Sequence, residues 1–320
     1  MHTKILRIIF LLFLFAGIIS CKEETPEPEH NFWKHAASFT GDTRSDAVAF
    51  SLNGKGYVYG GWGDNIYKSD FWEFIPELDV WLPTISLPES FRYKAISFVI
   101  NDTTAYVGLG GYFNQQTMQD TLFKDVWAFS NNNYEWKRMA TFPGKGRTGA
   151  VAFTIDTMAY IGLGNCNDTL LSDFWAYNAK QNLWQQLSNF PAQARSGATA
   201  FAIDGKGFVT CGKGKNFTVY NDLWEYNPTT DSWIRKADFR GEAREGLTSF
   251  VADNNAFVGL GWSPNGLQND FYKYEPHLNL WTKMEDFAGA PRMHAVSFSI
   301  FNKGYCGLGY LETDFFIYTP

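Results

Sequence analysis

Six arginines divide this chain into near-equal parts. They stand at Arg44, Arg92, Arg147, Arg195, Arg244 and Arg292, with steps of 48, 55, 48, 49 and 48 residues. A phenylalanine follows each by six positions, at Phe50, Phe98, Phe153, Phe201, Phe250 and Phe298, with small residues at alternate positions between, as in RTGAVAF and RSGATAF. That period of two marks a strand with one crowded face. A turn such as LNGKG or IDGKG comes next, its Asn-Gly or Asp-Gly pair supplying the positive φ of a tight hairpin. A second strand then ends on a glycine: Gly61, Gly110, Gly164, Gly212, Gly261 or Gly309. An aspartate opens a third strand in DFWEF, DVWAF, DFWAY, DLWEY, DFYKY and DFFIY, and a fourth centres on Trp81, Trp136, Trp184, Trp233 or Trp281. Every segment carries the strand period and none the helical one, which excludes helical and leucine-rich solenoids.

Four short antiparallel strands in about 48 residues have the content of a propeller blade. The glycine-ended second strand, the aromatic pair after the aspartate and the spaced tryptophan resemble the kelch repeat, six times over residues 31–320. The resemblance implies an all-β, six-bladed kelch-type β-propeller of the galactose oxidase-like superfamily. Its blades are expected at about residues 40–90, 91–145, 146–193, 194–242, 243–290 and 291–320. The sixth unit ends at DFFIYTP, with no residues for a Trp-bearing strand, whereas Trp33 precedes Trp81 by 48 positions. Residues 31–39 are therefore expected beside 314–319 as the outer strand of the last blade, closing the ring.

Composition bounds the rest. The chain of 320 residues is 45% hydrophobic, 18% aromatic and only 19% charged, ample for a large core. Lys4 and Arg7 precede an apolar stretch, Ile8 to Ile19, that is too short to span a bilayer comfortably and reads as a signal peptide, residues 1–20. IISC resembles a bacterial lipobox, which implies lipidation of Cys21. The acidic, proline-containing KEETPEPEH behind it reads as an extended tether over residues 21–30. CKEE is similar to the surface-export signal of Bacteroidota lipoproteins. A monomer anchored by lipid to the outer membrane and exposed at the cell surface is thus expected. Losing Lys4 and Arg7 from 27 cationic residues leaves 25 against 33 acidic ones, a net charge of −8. With no basic stripe, nucleic-acid binding is not expected. Cys166, Cys211 and Cys306 are odd in number and unrelated in spacing; buried free thiols are expected, with a Cys166–Cys211 bridge as the alternative.

The first strand starts after each Arg, the second ends at each Gly and the third starts at each Asp, so these points share one face around the axis. The six arginines could trap an anion or pair with Asp70, Asp125, Asp173, Asp222, Asp270 and Asp314, and strict six-fold repetition favours pairing. Departures from symmetry say more about a ligand. Ten of twelve tryptophans fill repeat positions; Trp62 and Trp262 instead follow the shared glycine. Blade 6 has Tyr310 there, and blade 2 has Gly111 followed by Tyr112 and Phe113 in its long loop. Blades 5, 6, 1 and 2 would thus form an aromatic arc facing Asn165 and Lys213 of blades 3 and 4. Such a mouth suits a sugar, whose apolar faces stack on rings while its hydroxyls bond to polar groups, although the same rings could simply pack the loops.

Only His294 of the four mature histidines should reach this face, too few for the copper site of galactose oxidase, and no other cofactor or metal site is expected. No HExxH, nucleophile elbow or P-loop occurs, and no glycine-rich stretch opens a helix as a dinucleotide fingerprint would. Asp46, Lys94, Glu245 and His294, each one or two residues after a repeat Arg, also break the symmetry. The resemblance extends distantly to the N-acetylneuraminate epimerases, six-bladed kelch sugar mutarotases. It implies that Glu245 or His294 serves as base and acid while Arg244 and Arg292 hold a carboxylate. The expectation from the sequence is non-catalytic recognition of a glycan or protein partner at the cell envelope, with a mutarotase or epimerase as the alternative.

Overall fold

In the computed structural model, residues 33–89, 91–310 and 312–320 are described. The expected signal segment, tether and Cys21 lie outside them. Six four-stranded antiparallel sheets follow one another along the chain. Blade 1 runs through Val48–Leu52, Lys55–Tyr59, Phe71–Ile75 and Val80–Thr84, in that order from the inside outward. The first strands of neighbouring blades pack side by side around a central channel lined by Ala49, Ser97, Ala152, Ala200, Ser249 and Ser297. All six first strands alternate buried and half-buried residues. The bulky face packs against the adjacent blade while the small face borders the channel, where six strands converge and larger side chains would collide.

Each repeat arginine is buried and ties three parts of its blade together. The Arg147 guanidinium donates to both carboxylate oxygens of Asp173 at 2.6 and 2.8 Å, to the Leu163 carbonyl at 3.0 Å and to the Lys145 carbonyl at 2.9 Å. It also lies 4.9 Å from the centroid of the Phe142 ring. Arg44–Asp70, Arg92–Asp125, Arg195–Asp222, Arg244–Asp270 and Arg292–Asp314 repeat the bidentate pairing. In four blades the same aspartate accepts an indole N–H two residues on, from Trp72, Trp127, Trp175 or Trp224. Burial pushes these carboxyls up. The Arg hydrogen bonds and charge, with the indole N–H, outweigh it, so Asp70, Asp125, Asp173 and Asp222 sit below the usual carboxylate range.

The shared glycines stitch one blade to the next. Gly61 N–H donates to the Arg92 carbonyl at 2.9 Å, and the pattern runs round to Gly309, which donates to the Arg44 carbonyl at 2.9 Å. Gly61 has φ +95°, and a Cβ there would stand 2.7 Å from the Ser45 carbonyl oxygen, so both conformation and space demand glycine. Cys211 and Cys306 are buried and Cys166 half-buried; all three are free thiols.

Blade 6 closes as the spacing of Trp33 requires. Val296–Ile300, Lys303–Gly307 and Phe315–Tyr318 are completed by Trp33–Ala36, with Trp33 opposite Tyr318 and Ala36 opposite Phe315. The Trp33 ring lies 5.0 Å from both Phe271 and Phe287 of blade 5, so the closing strand also covers the core between blades 5 and 6.

Two outcomes follow. Trp33→Ala should lower the unfolding free energy by about 3–5 kcal/mol through the cavity it leaves. Lys34→Ala, on the exposed face of the same strand, should stay within about 0.5 kcal/mol in the same urea titration. Unfolded aspartate titrates near pH ~3.9. The four depressed carboxyls therefore stabilise the fold fully above that pH and lose their contribution as the pH falls through their lower folded values. Urea titrations from pH 7 to 3 should show stability dropping below about pH 4; a flat profile would contradict the paired geometry.

Candidate functional site

The second residue after each repeat arginine has a left-handed backbone: Asp46 (φ 58°), Lys94 (49°), Gly149 (62°), Gly197 (63°), Gly246 (68°) and His294 (56°). Their peptides form a closed circuit around the axis. Lys94 N–H donates to the Asp46 carbonyl (2.9 Å), Gly149 to Lys94 (3.0 Å), Gly197 to Gly149 (3.1 Å), Gly246 to Gly197 (2.9 Å), His294 to Gly246 (2.9 Å) and Asp46 to His294 (3.3 Å). Adopting φ > 0 is cheap for glycine and costs other residues roughly 1–2 kcal/mol. Three consecutive blades, 6, 1 and 2, nevertheless carry His, Asp and Lys there. Backbone strain of this kind gathers where side chains have work to do.

Those side chains meet in a cavity of about 270 Å³ at the loop-face end of the axis. His294 Nδ1 lies 2.7 Å from Asp46 Oδ1, and Lys213 Nζ lies 2.6 Å from Glu245 Oε1. The Tyr93 hydroxyl donates to Asp120 Oδ1 at 2.8 Å, which fastens the long blade 2 loop over the cavity. Burial pushes the Asp46 carboxyl up, but the His294 imidazole and Lys94 ammonium facing it, together with the His294 hydrogen bond, hold it below the usual range. Burial and the Asp120 hydrogen bond push the Tyr93 phenol up, so it remains a neutral donor.

Glycine in blades 4 and 5 serves this arrangement twice. A Cβ on Gly246 would stand 3.2 Å from the His294 imidazole, and one on Gly197 3.0 Å from Glu245 Oε2. Leaving both bare lets the side chain of each following blade lie over its neighbour, toward the axis.

The sequence-based site is only partly assembled here. Glu245, His294, Asn165 and Lys213 line the cavity, and so do Asp46 and Lys94. The Asn165 amide oxygen is buried and accepts no hydrogen bond from the described residues. Arg244 and Arg292, expected to hold a ligand carboxylate, are instead fully buried on Asp270 and Asp314 and do not line the cavity. The bidentate partner that each blade supplies leaves them no free donor face. Tyr112 packs on Phe91, Phe123 and Tyr67, at 5.1, 6.0 and 6.2 Å. Phe113 donates its backbone N–H to the Tyr67 hydroxyl at 2.9 Å, so this pair ties the loops of blades 1 and 2 together. Trp62 and Trp262 are half-buried, Tyr310 is exposed, and none of the three lines the cavity. The two indoles sit one tier out, their backbones paired with Ser45 and Glu245. Tyr93 and Asp120 escaped the sequence reading. Tyr93 directly follows Arg92, where three blades have Ser45, Thr148 or Ser196 and two have Glu245 or Met293, and that departure was its one signal.

Fold and site together define a six-bladed all-β propeller with a polar axial cavity. The KLHDC2/KLHL20/DRC7 kelch-repeats domain matches residues 141–304, just over half of the chain. The chain belongs to the kelch-repeat family. Among solved structures, that of YjhT is similar over 89% of this chain and 97% of its own, with a TM-score of 0.76 and 14% identity, which shows a shared fold. No curated protein matches the sequence.

Lys94→Gly tests the strained position, since this lysine acts on Asp46 only through longer-range attraction, with no carboxylate among the described residues in ion-pair distance. The variant should gain up to about 1 kcal/mol in urea unfolding, as relief of the left-handed strain outweighs the lost attraction to Asp46.

Proposed function

We propose that this protein is a cell-envelope lipoprotein, anchored through Cys21, that binds one hydroxylated ligand of sugar size in the axial cavity. The carrying observation is the strained trio of Asp46, Lys94 and His294, whose polar heads converge where glycine would be the relaxed choice. The cavity lies just below the roughly 300–1,000 Å³ usual for small-molecule sites, which suits a single ring. Its lining offers donors and acceptors on all sides. Trp62 and Trp262, one tier out, add apolar surface of the kind sugar faces stack upon.

Proton transfer on that ligand is a second reading, favoured by one observation. The Asp46 carboxylate engages Nδ1 of His294, which fixes the imidazole and leaves Nε2 as the free nitrogen, with Glu245 on the adjacent blade as a second acid–base group. A glycan array on the purified propeller, with affinities of the hits measured by calorimetry, tests the main reading. His294→Gly should cut affinity for the best hit by at least tenfold, which is about 1.4 kcal/mol. An array without hits would reject a sugar and redirect the search to a protein partner. NMR of anomer exchange on any hit decides between binding and turnover: Glu245→Gln abolishes exchange if the site is catalytic.

A further inference from the structure

The short loops after the shared glycines turn through two successive left-handed residues: Asp64 and Asn65 in blade 1, Asn167 and Asp168 in blade 3, Asn216 and Phe217 in blade 4. In blade 5 Gly266 is left-handed, with φ 118°, and Asn265 before it is not. Asn, Asp and Gly suit such turns because they tolerate positive φ. Phe217, at φ 59°, does not; its ring is 76% exposed, so packing does not account for it either. The turn is held firmly: Gly214 N–H donates to the Thr218 carbonyl at 2.8 Å, and Lys213 bridges to Val219. One contact links the ring to the cavity. Lys213 Nζ, ion-paired to Glu245 in the cavity wall, lies 5.5 Å from the Phe217 centroid.

We infer that Phe217 is a stacking platform at the cavity rim for the second unit of a glycan chain, whose terminal unit occupies the cavity. This rests on the sugar reading above and deepens it: the ligand is a chain end, not a free monosaccharide. The cavity, of about 270 Å³, opens at the loop face, so a glycan longer than it can hold leaves over the rim. At the blade 4 edge the surface it meets is an exposed aromatic face beside an ammonium. Sugar rings stack on aromatic faces through their C–H surfaces, and the lysine beside the ring can donate to a hydroxyl.

Phe217→Asn installs the residue the turn prefers, so the variant should fold with an unchanged or slightly raised melting temperature. The probes are the best-bound oligosaccharide from the array and its terminal monosaccharide, titrated by calorimetry into wild type and variant. The expected result is a loss of roughly tenfold for the oligosaccharide, with monosaccharide affinity unchanged. Equal affinities of wild type and variant for the oligosaccharide would overturn the platform while leaving the cavity reading intact. Equal losses on both probes would also overturn it, placing Phe217 in the cavity's own binding. An array silent for wild type rejects the sugar reading and this inference with it.

Discussion

The buried arginine–aspartate pair is the interaction on which the propeller depends. A guanidinium placed among sheets without a partner would be untenable, so each blade supplies a carboxylate at the start of its third strand and backbone carbonyls around it. The two N–H bonds to that carboxylate fix the third strand's entry, and the bond to the carbonyl before the shared glycine fixes the second strand's exit. Asp46, Lys94, Gly149, Gly197, Gly246 and His294 inherit their place at the axis from arginines two residues earlier. Blade 2 shows how the node tolerates change. Leu87 stands where the other blades have a phenylalanine, and Phe123, from the end of the long loop, provides the ring over Arg92 at 4.7 Å. Asp125 is the most buried of these carboxylates.

Much of this was legible in the sequence because scaffold residues are repeated. The 48-residue step from Trp33 to Trp81 was enough to place the closing strand, and matching Arg and Asp positions foretold their pairing. The site was legible only where it broke that repetition. Glu245 and His294 stood out beside their arginines and do line the cavity. Trp62 and Trp262 stood out equally, yet whether a residue after the glycine reaches the cavity depends on its side-chain direction. Asn165 and Lys213 point in from that position and the two indoles do not. Asp120 was hidden for another reason, since the reach of a long loop depends on how it folds back and not on its spacing.

The molecule holds a symmetric frame and an asymmetric centre with one backbone. Six peptides, one from each blade, form the circuit, while the side chains they carry differ: polar on blades 6, 1 and 2, absent on 3, 4 and 5. Bare positions give the following blade its room, because a Cβ on Gly246 would crowd the His294 ring of blade 6 and one on Gly197 the Glu245 carboxylate of blade 5. Substitution at one blade is thus felt at the next, so mutational effects at adjacent positions of the circuit should not simply add.

Closure by Trp33–Ala36 also sets an order of events. This strand's partner, Phe315–Tyr318, is almost the whole chain away, so the contact that completes the ring is among the most non-local in the molecule. While the chain grows from its N-terminus, five blades can be finished as hairpins fold onto their neighbours, but Phe250, Phe271 and Phe287 stay uncovered until the last strand is made. Until then the propeller is an open arc with an apolar end, the kind of transiently exposed surface on which misassembly begins.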